Sequence, residues 1–259
     1  MSLSPSTVVA RLRAAGCVFA EDEARLLIDT ARTPDELAAM VDRRVAGLPL
    51  EHVLGWAEFR GLRVAVDPGV FVPRRRTEFL VRRAAALARP GALIVDLCCG
   101  SGALGAALAT ELGAAEVHAA DIDPAAVACA RRNLAAVDGR AYEGDLYDPL
   151  PATLRGRVDV LLANVPYVPT GEVALLPAEA RDHEARVALD GGTDGLDVLR
   201  RVTAEARDWL APGGVLLSET SDRQVPTALE ALARGGLSAQ AASCEDTDAT
   251  VVIGTAGCG

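Results

Sequence analysis

Two short segments carry the residue types from which a chemical site is built. Residues 95–102 read as an apolar strand that contains a carboxylate and runs into a glycine-rich turn. Residues 164–167 place an amide, a proline and an aromatic ring directly after a second apolar strand, predicted at 158–163. Ligands of open α/β sheets bind beside the carboxyl ends of the strands. The two segments together predict that an adenosine-bearing cofactor and a planar, amide-like substrate meet at one sheet edge.

The glycine-rich turn predicts the cofactor pocket. Gly100 and Gly102 allow backbone amides and a helix N-terminus to approach a ligand closely. Asp121 ends the next predicted strand, where its carboxylate can accept both ribose hydroxyls, and Asp145 follows the third strand in position to receive an adenine amino group. This order of groups resembles that of class I S-adenosylmethionine (SAM) methyltransferases.

A nicotinamide dinucleotide remains a second interpretation of the same letters. Residues 100–105, G-S-G-A-L-G, also fit the G-x-G-x-x-G fingerprint, with Asp121 at the expected distance. Asp96 favours SAM, because a carboxylate inside the strand can organise the turn and lie near the ammonium group of methionine, whereas it would repel a pyrophosphate. A third interpretation is a turn that only joins strand to helix.

Residues 164–167, N-V-P-Y, resemble the N-P-P-Y motif of methyltransferases that act on planar nitrogen. Such a nitrogen is a poor nucleophile because its lone pair is delocalised. The Asn164 side-chain oxygen and the Val165 backbone carbonyl can each accept one N–H of the target and stabilise the positive charge that grows on nitrogen. Pro166 and Tyr167 complete the predicted catalytic set, with Tyr167 packing against the amide plane. The alternative is a structural Asn-Pro turn with a packed tyrosine.

The flanking segments are similar to the HemK/PrmC-like peptide chain release factor glutamine methyltransferases. The similarity is carried by residues 49–55 (P-L-E-H-V-L-G), 58–62 (E-F-R-G-L), 68–74 (P-G-V-F-V-P-R), 77–78 (T-E), 183–192 (H-E-A-R-V-A-L-D-G-G) and 194–196 (D-G-L). It implies methylation of the glutamine in the Gly-Gly-Gln loop of release factors, with a helical N-terminal domain that helps to grip the protein. The cofactor residues that we predict from the turn and this resemblance are Asp96, Cys98, Cys99, Gly100, Ser101, Gly102, Asp121, Ile122, Asp145, Leu146 and Asn164.

Three departures from the family pattern put the substrate in question more than the cofactor. Val165 replaces the first proline of N-P-P-Y, Arg75 and Arg76 replace a proline and an acid, and Cys98-Cys99 replaces a Gly-Thr or Gly-Cys pair. They leave room for a divergent paralogue. Two alternative functions therefore stay open: methylation of a base amine in nucleic acid, and a non-catalytic SAM-binding protein.

Alternating apolar strands and helices predict an α/β class I methyltransferase fold, a doubly wound, mainly parallel seven-stranded sheet. A short last connection predicts an antiparallel C-terminal hairpin. We expect a helical domain over 1–48, in which Thr33, Pro34 and Glu36 form a helix start with a capping box. A hairpin linker over 49–76 follows, and then the methyltransferase domain over 77–259, with Thr77 capping its first helix. The predicted strands are 92–97, 116–121, 140–143, 158–163, 214–219, 237–243 and 249–253; the predicted helices after residue 90 are 102–112, 124–136, 195–210 and 224–234.

Composition narrows the classes of function. The net charge is −10; residues 1–90 carry 14 Arg against 11 acids, or +3, so the remainder carries −13. Such an acidic balance disfavours strong nucleic-acid binding; residues 74–76 (R-R-R) are the one basic candidate, as a binding patch or, more simply, a solvated loop. The six cysteines and three histidines lack metal-ligand spacing, so no metal is expected. We expect a cytoplasmic monomer with a protein substrate, without a secretory signal or membrane span.

Overall fold

The computed structural model describes residues 3–113 and 115–257 of the chain. The two outer ends of the predicted domains, residues 1–2 and 258–259, lie outside that description. The helices are α1 Pro5–Ala14, α2 Ala20–Thr30, α3 Pro34–Val45, α4 Leu50–Leu54, α5 Glu78–Leu87, α6 Ala103–Leu112, α7 Pro124–Leu134, α8 Ala178–His183, α9 Asp197–Trp209 and α10 Val225–Arg234. The strands are β1 Trp56–Phe59, β2 Leu62–Ala65, β3 Leu93–Leu97, β4 Glu116–Asp121, β5 Arg140–Glu143, β6 Val158–Ala163, β7 Leu210–Thr220, β8 Ser238–Cys244 and β9 Ala249–Thr255.

Seven strands form one sheet in the order β5-β4-β3-β6-β7-β9-β8. Strands β3 to β7 pair in parallel, whereas β9 runs antiparallel to both β7 and β8. The predicted fold class is confirmed, including the antiparallel hairpin at the C-terminal end. The strand order reverses between β3 and β6: the chain runs from β3 to β4 and β5 on one side, and from β6 to β7 on the other. The connections that follow β3 and β6 therefore leave in opposite directions, which opens a crevice at the carboxyl ends of these two strands.

Successive residues of the central strand enter opposite core layers. Ile94 packs with the apolar faces of α5, α6 and α7, whereas Val95 packs with α9 and α10. All five residues of β3 are buried. A strand with helices on both faces has no polar side, which is why its sequence reads as a continuous apolar run rather than as an alternation.

The N-terminal helices form a separate small core around Leu12, Leu27 and Val41. The predicted start of α3 is present: the Thr33 side chain accepts a hydrogen bond from the Glu36 amide at 3.1 Å, and Pro34 occupies the first turn. The Glu36 carboxylate accepts from the Arg32 amide at 2.7 Å rather than from that of Thr33. The capping box is therefore extended by one residue.

The segment between the helices and the large sheet differs from the predicted hairpin. Residues 50–54 form helix α4, and only β1 and β2 pair as a hairpin. The following chain packs Val66, Val70 and Val72 against α7. The predicted cap at Thr77 is wrong: this residue ends a 3-10 turn, Arg75–Thr77, with helical backbone angles, and its side chain makes no capping hydrogen bond. Within the described residues, no helix has the length and apolar character needed to cross a bilayer.

Candidate active site

One pocket lies at the carboxyl ends of β3, β4 and β6. The space inside it is about 910 Å³, a volume that includes the open solvent at its mouth. It brings together most of the predicted residues from both segments. The predicted residues that line it are Asp96, Cys98, Cys99, Gly100, Ser101, Asp121, Ile122, Asp145, Leu146, Asn164 and Pro166.

Three predicted residues do not line this pocket. Gly102 faces helix α7 instead, because a Cβ on it would lie 3.1 Å from the Ala130 Cβ. The role predicted for Gly102 in approaching the ligand therefore changes to close packing of α6 on α7, while it keeps a left-handed backbone with φ of 75°. The Val165 side chain is buried in the apolar core, and Tyr167 lines a neighbouring groove.

Asp121 is held in place by backbone amides at the end of β4. One carboxylate oxygen accepts from the Gly100 amide at 2.8 Å and the other from the Asp123 amide at 2.9 Å. Burial raises its pKa, and the two amide hydrogen bonds oppose that rise. The carboxylate joins the glycine turn to the second strand and presents its remaining acceptor capacity to the pocket.

Asp96 is almost fully buried inside β3. Its Oδ2 accepts from the Gly105 amide at 3.0 Å, and its Oδ1 has no hydrogen-bond partner among the described residues. Burial raises the pKa of Asp96 to about 8. A buried carboxyl group with an unused oxygen at a pocket wall is suited to a cationic ligand group, which would supply the missing partner and favour the charged form.

The turn after β3 contains a backbone conformation that side chains rarely adopt. Cys98 has a φ of 53°, in the left-handed region that favours glycine. Cys98 and Cys99 are free thiols, and burial raises the pKa of both, so neither is suited to act as a thiolate nucleophile. They act as small apolar residues of the turn.

Asn164 presents an unpaired acceptor to the pocket. Its Oδ1 is buried and has no hydrogen-bond partner among the described residues. No described group donates to the backbone carbonyl of Val165 either. These are the two oxygens that the sequence predicted as acceptors for the N–H groups of a planar nitrogen. Pro166, the next residue, is buried and lines the pocket.

The segment after α8 packs against the 164–167 turn and the residue that follows it. The Gly191 amide donates to the Val168 carbonyl at 2.8 Å, and the Val168 amide donates to Leu189 at 3.1 Å. A Cβ on Gly191 would lie 2.5 Å from the Pro166 carbonyl oxygen, so only glycine fits there. Gln224, which follows β7, donates from its amide to the Tyr167 carbonyl at 2.9 Å.

The arginine cluster is not a free basic patch, although Arg75 and Arg76 are exposed to solvent. Arg74 pairs with Glu184 at 2.6 Å, and the Glu184 side chain has no exposed surface. Arg76 pairs with Glu219 at 2.8 Å, whose side chain is 4% exposed. Arg75 is exposed and makes no ion pair among the described residues. Two of the three arginines are thus paired with buried carboxylates, which require a partner of opposite charge.

Several pocket residues were not predicted. Arg201 of α9 pairs with Asp145 at 2.7 Å, so the carboxylate expected to receive an adenine amino group already holds a guanidinium. Phe71, Pro73 and Thr77 form the wall on the linker side. Phe71 and Thr77 lie in segments 68–74 and 77–78, whose resemblance to the family could have indicated them. The sequence contains no comparable signal for Arg201, which is one of several arginines on its helix.

The fold and the pocket define a class I SAM-dependent methyltransferase. A family model described as methyltransferase small domain matches residues 61–192. A solved methyltransferase from Pyrococcus furiosus has a TM-score of 0.58 and 19% identity, covering 85% of this chain and 98% of that one. At this identity the likeness concerns the fold.

Sequence relatives define the family more narrowly. The release factor glutamine methyltransferase of Geobacter sulfurreducens is 39% identical over 80% of this chain and 74% of its own length. A 4-amino-L-phenylalanine/4-methylamino-L-phenylalanine methyltransferase of Streptomyces pristinaespiralis is 38% identical over 82% of this chain and 75% of its own. The chain belongs to the family of the release factor glutamine methyltransferases.

The left-handed conformation of Cys98 predicts an order of stability. We expect Cys98→Gly to be more stable than Cys98→Ala by roughly 0.5–1 kcal/mol, because glycine avoids a steric cost of about 1–2 kcal/mol at such a position and loses part of this gain in chain entropy. Chemical denaturation measures the difference. Cys99, which does not have a positive φ, is the matched control, and there alanine should be the more stable substitution. Equal stability of the two variants at position 98 would contradict the assignment.

Asp96 predicts a pH dependence of stability. Its folded pKa of about 8 lies above the ordinary value of 3.8. Between these values the unfolded chain releases the proton while the folded protein keeps it, so the free energy of unfolding falls as pH rises. Without ligand, the stability of Asp96→Asn relative to the unsubstituted protein should therefore grow from pH 5 to pH 8, by up to about 1.4 kcal/mol per pH unit. Urea denaturation across that range tests this; a constant difference would refute it.

Proposed function

We propose that this protein transfers a methyl group from SAM to the side-chain amide nitrogen of a glutamine in a peptide chain release factor. The observation that carries the proposal is the buried, unpaired Oδ1 of Asn164 at the wall of the cofactor-type pocket. Leaving such an acceptor without a donor costs about 1–3 kcal/mol. An N–H donor of the substrate removes that cost in the complex.

The residues of the pocket fit SAM as the methyl donor. The unpaired Asp96 oxygen suits the methionine ammonium, and the fixed Asp121 carboxylate suits the ribose hydroxyls. Ile122, half exposed at the pocket mouth, and Leu146 supply apolar surface for a base. When bound, SAM supplies an electrophilic methyl group on a positively charged sulfur. A carboxyl in the β3 wall disfavours a pyrophosphate, which argues against the nicotinamide alternative.

The chemistry required of the protein is orientation. Two acceptor oxygens, Asn164 Oδ1 and the Val165 carbonyl, accept the two N–H bonds of the substrate amide. This fixes the amide plane, so that the nitrogen lone pair, which is perpendicular to that plane, faces the methyl group. As the nitrogen gains positive charge, both hydrogen bonds strengthen, which stabilises the transition state more than the ground state. Fixed geometry of this kind contributes roughly 7–11 kcal/mol. No base is required before methyl transfer, because the proton leaves only after the nitrogen becomes cationic.

The N-terminal helices, in the domain that we place at 1–48, are proposed to contact the protein substrate. Buried Arg44 of α3 pairs with Glu23 of α2 at 2.6 Å and with Glu179 of α8 at 2.6 Å. This link joins the helices to the segment that follows the 164–167 turn. A substrate surface on the helices would thereby be fixed relative to the methyl-transfer site. Such a substrate acts in translation, which supports a cytoplasmic location.

An aromatic amine is a second candidate substrate. The relative from Streptomyces pristinaespiralis is named for an amine attached to an aromatic ring, and this nitrogen also carries a delocalised lone pair and two N–H bonds. The same two acceptors suit either group. A base amine in nucleic acid has the same chemistry, but Arg74 and Arg76 are already paired with buried carboxylates and the net charge is −10, which opposes binding to phosphates.

A direct assay tests the proposed substrate. The purified chain is incubated with methyl-labelled SAM and a release factor with its Gly-Gly-Gln loop intact, and in parallel with the same factor carrying glutamate at the loop glutamine. We expect label in the first protein only, and mass spectrometry should place it on the glutamine nitrogen. Equal label in both factors, or in neither, would refute the proposal. Label on free 4-amino-L-phenylalanine alone would favour the second candidate.

Removing the Asn164 acceptor should lower the rate of methyl transfer without unfolding the protein. We expect Asn164→Ala to lower kcat by roughly 10²–10³, in line with the loss of one transition-state hydrogen bond. Folding should change little, because the oxygen has no partner among the described residues. Thermal denaturation checks the fold and titration calorimetry checks SAM affinity. A loss of activity below threefold would mean that Asn164 does not contact the reacting nitrogen.

A further inference from the structure

Tyr167 belongs to the N-V-P-Y turn, yet its side chain points into a groove beside the cofactor pocket. That groove is lined by Arg76, Val168, Glu172 and other residues of the segment after β6. The Tyr167 hydroxyl donates to Glu219 Oε1 at 2.9 Å and accepts a hydrogen bond from Arg76 Nη2. The sequence predicted that Tyr167 packs against the amide plane of the substrate; in the structure its hydroxyl end is held in this neighbouring groove.

Glu219, Tyr167 and Arg76 form a closed set of three contacts. Arg76 Nε lies 2.8 Å from the same Glu219 oxygen that accepts from the tyrosine. The carboxylate is 4% exposed, and its second oxygen has no partner among the described residues. A planar guanidinium presents donors in a fixed arrangement, so one arginine can hold a carboxylate and a phenol together. The position of Tyr167 thus depends on a residue outside the turn.

The turn needs such support because of its second residue. A proline at 165 would lock the backbone φ near −65°, whereas Val165 leaves it free. The main chain of Tyr167 is held by Gln224, but this contact does not fix the side chain. Arg76 does so, with its guanidinium carbon 5.8 Å from the centre of the Tyr167 ring. Arg76 also lies next to the pocket along the chain, because the following residue, Thr77, lines the cofactor pocket.

We propose that Arg76 is a positioning residue for methyl transfer, which acts by holding the Tyr167 side chain, and through it the 164–167 turn, against the linker wall of the pocket. The inference rests on the proposed function for its kinetic effect. Among the described residues, Arg76 makes no hydrogen bond or ion pair with Asn164 or the predicted cofactor residues. Its influence on the reaction passes through Tyr167.

A double-mutant cycle tests this route. The variants are Arg76→Met, Tyr167→Phe and the combination, with Arg75→Met, the exposed neighbour without an ion pair, as matched control. We expect each single change to lower kcat at saturating SAM about tenfold, and the double variant to be no slower than the slower single variant, because residues that act as one unit are not additive. Arg75→Met should keep the kcat of the unsubstituted chain. A double variant about 100-fold slower would mean independent effects and would overturn the proposal.

A purely structural role for Arg76 predicts a different result. In that case Arg76→Met would lower the melting temperature, because the buried Glu219 charge loses its partner, while kcat of the folded fraction stayed unchanged. Should Arg76→Met not fold, Arg76→Lys replaces it in the cycle, since lysine keeps the charge but lacks the planar fork. An unchanged kcat in the folded variant overturns the positioning role.

A spectroscopic measurement separates this inference from the proposed substrate. The chain has three tyrosines, and fluorotyrosine labelling gives one ¹⁹F signal for each. Arg76→Met should shift or broaden the Tyr167 signal, which Tyr167→Phe identifies. The signals of Tyr142, stacked on His118, and Tyr147, stacked on Trp209, should stay in place. An unchanged Tyr167 signal overturns the inference. A changed signal in a protein that does not label the release factor refutes the substrate alone.

Discussion

A buried oxygen without a donor is the constraint on which the site depends. Asn164 Oδ1 has lost its contact with water and gains no partner within the described chain. The surrounding structure holds this turn in place: Gly191 packs against the Pro166 carbonyl, and the Gln224 side chain donates a hydrogen bond to the Tyr167 carbonyl. A rigid scaffold can keep a polar atom unsatisfied until a ligand arrives, and the stability lost in the free protein is regained in the complex.

Carboxyl groups inside the protein follow the same logic in two different ways. Asp96 and Asp121 meet only backbone amides, so they keep capacity for a ligand. Glu184 and Glu219 are matched with Arg74 and Arg76. The first pair lies at strand ends that line the pocket, and the second pair attaches the linker to the domain that carries it. Burial raises the pKa of Glu184, which the Arg74 charge opposes. Acidic side chains thus keep free acceptor capacity at the pocket and are paired with arginine where the linker joins the domain.

The sequence predicted the fold and most of the pocket because both follow from local patterns. Continuous apolar strands, glycine turns and acids at strand ends fix what each strand presents to the shared edge. What it missed depends on contacts between distant segments: the pairing of Arg76 with Glu219, the packing of Gly102 on α7, and the approach of Arg201 to Asp145. Thr77 failed as a cap because the chain before it already turns as a 3-10 helix. Such pairings carry no periodic signal.

Gly191 and Gly195, two of the three glycines between α8 and α9, restrict how this enzyme can diverge. A side chain at Gly191 would collide with the Pro166 carbonyl, and one at Gly195 with the Tyr167 carbonyl. Larger residues at Gly191 and Gly195 are therefore excluded on that side of the turn. On the linker side, the pocket wall is formed by the side chains of Phe71 and Pro73. Differences in specificity are therefore expected at side chains such as these rather than at the backbone contacts of Gly191 and Gly195.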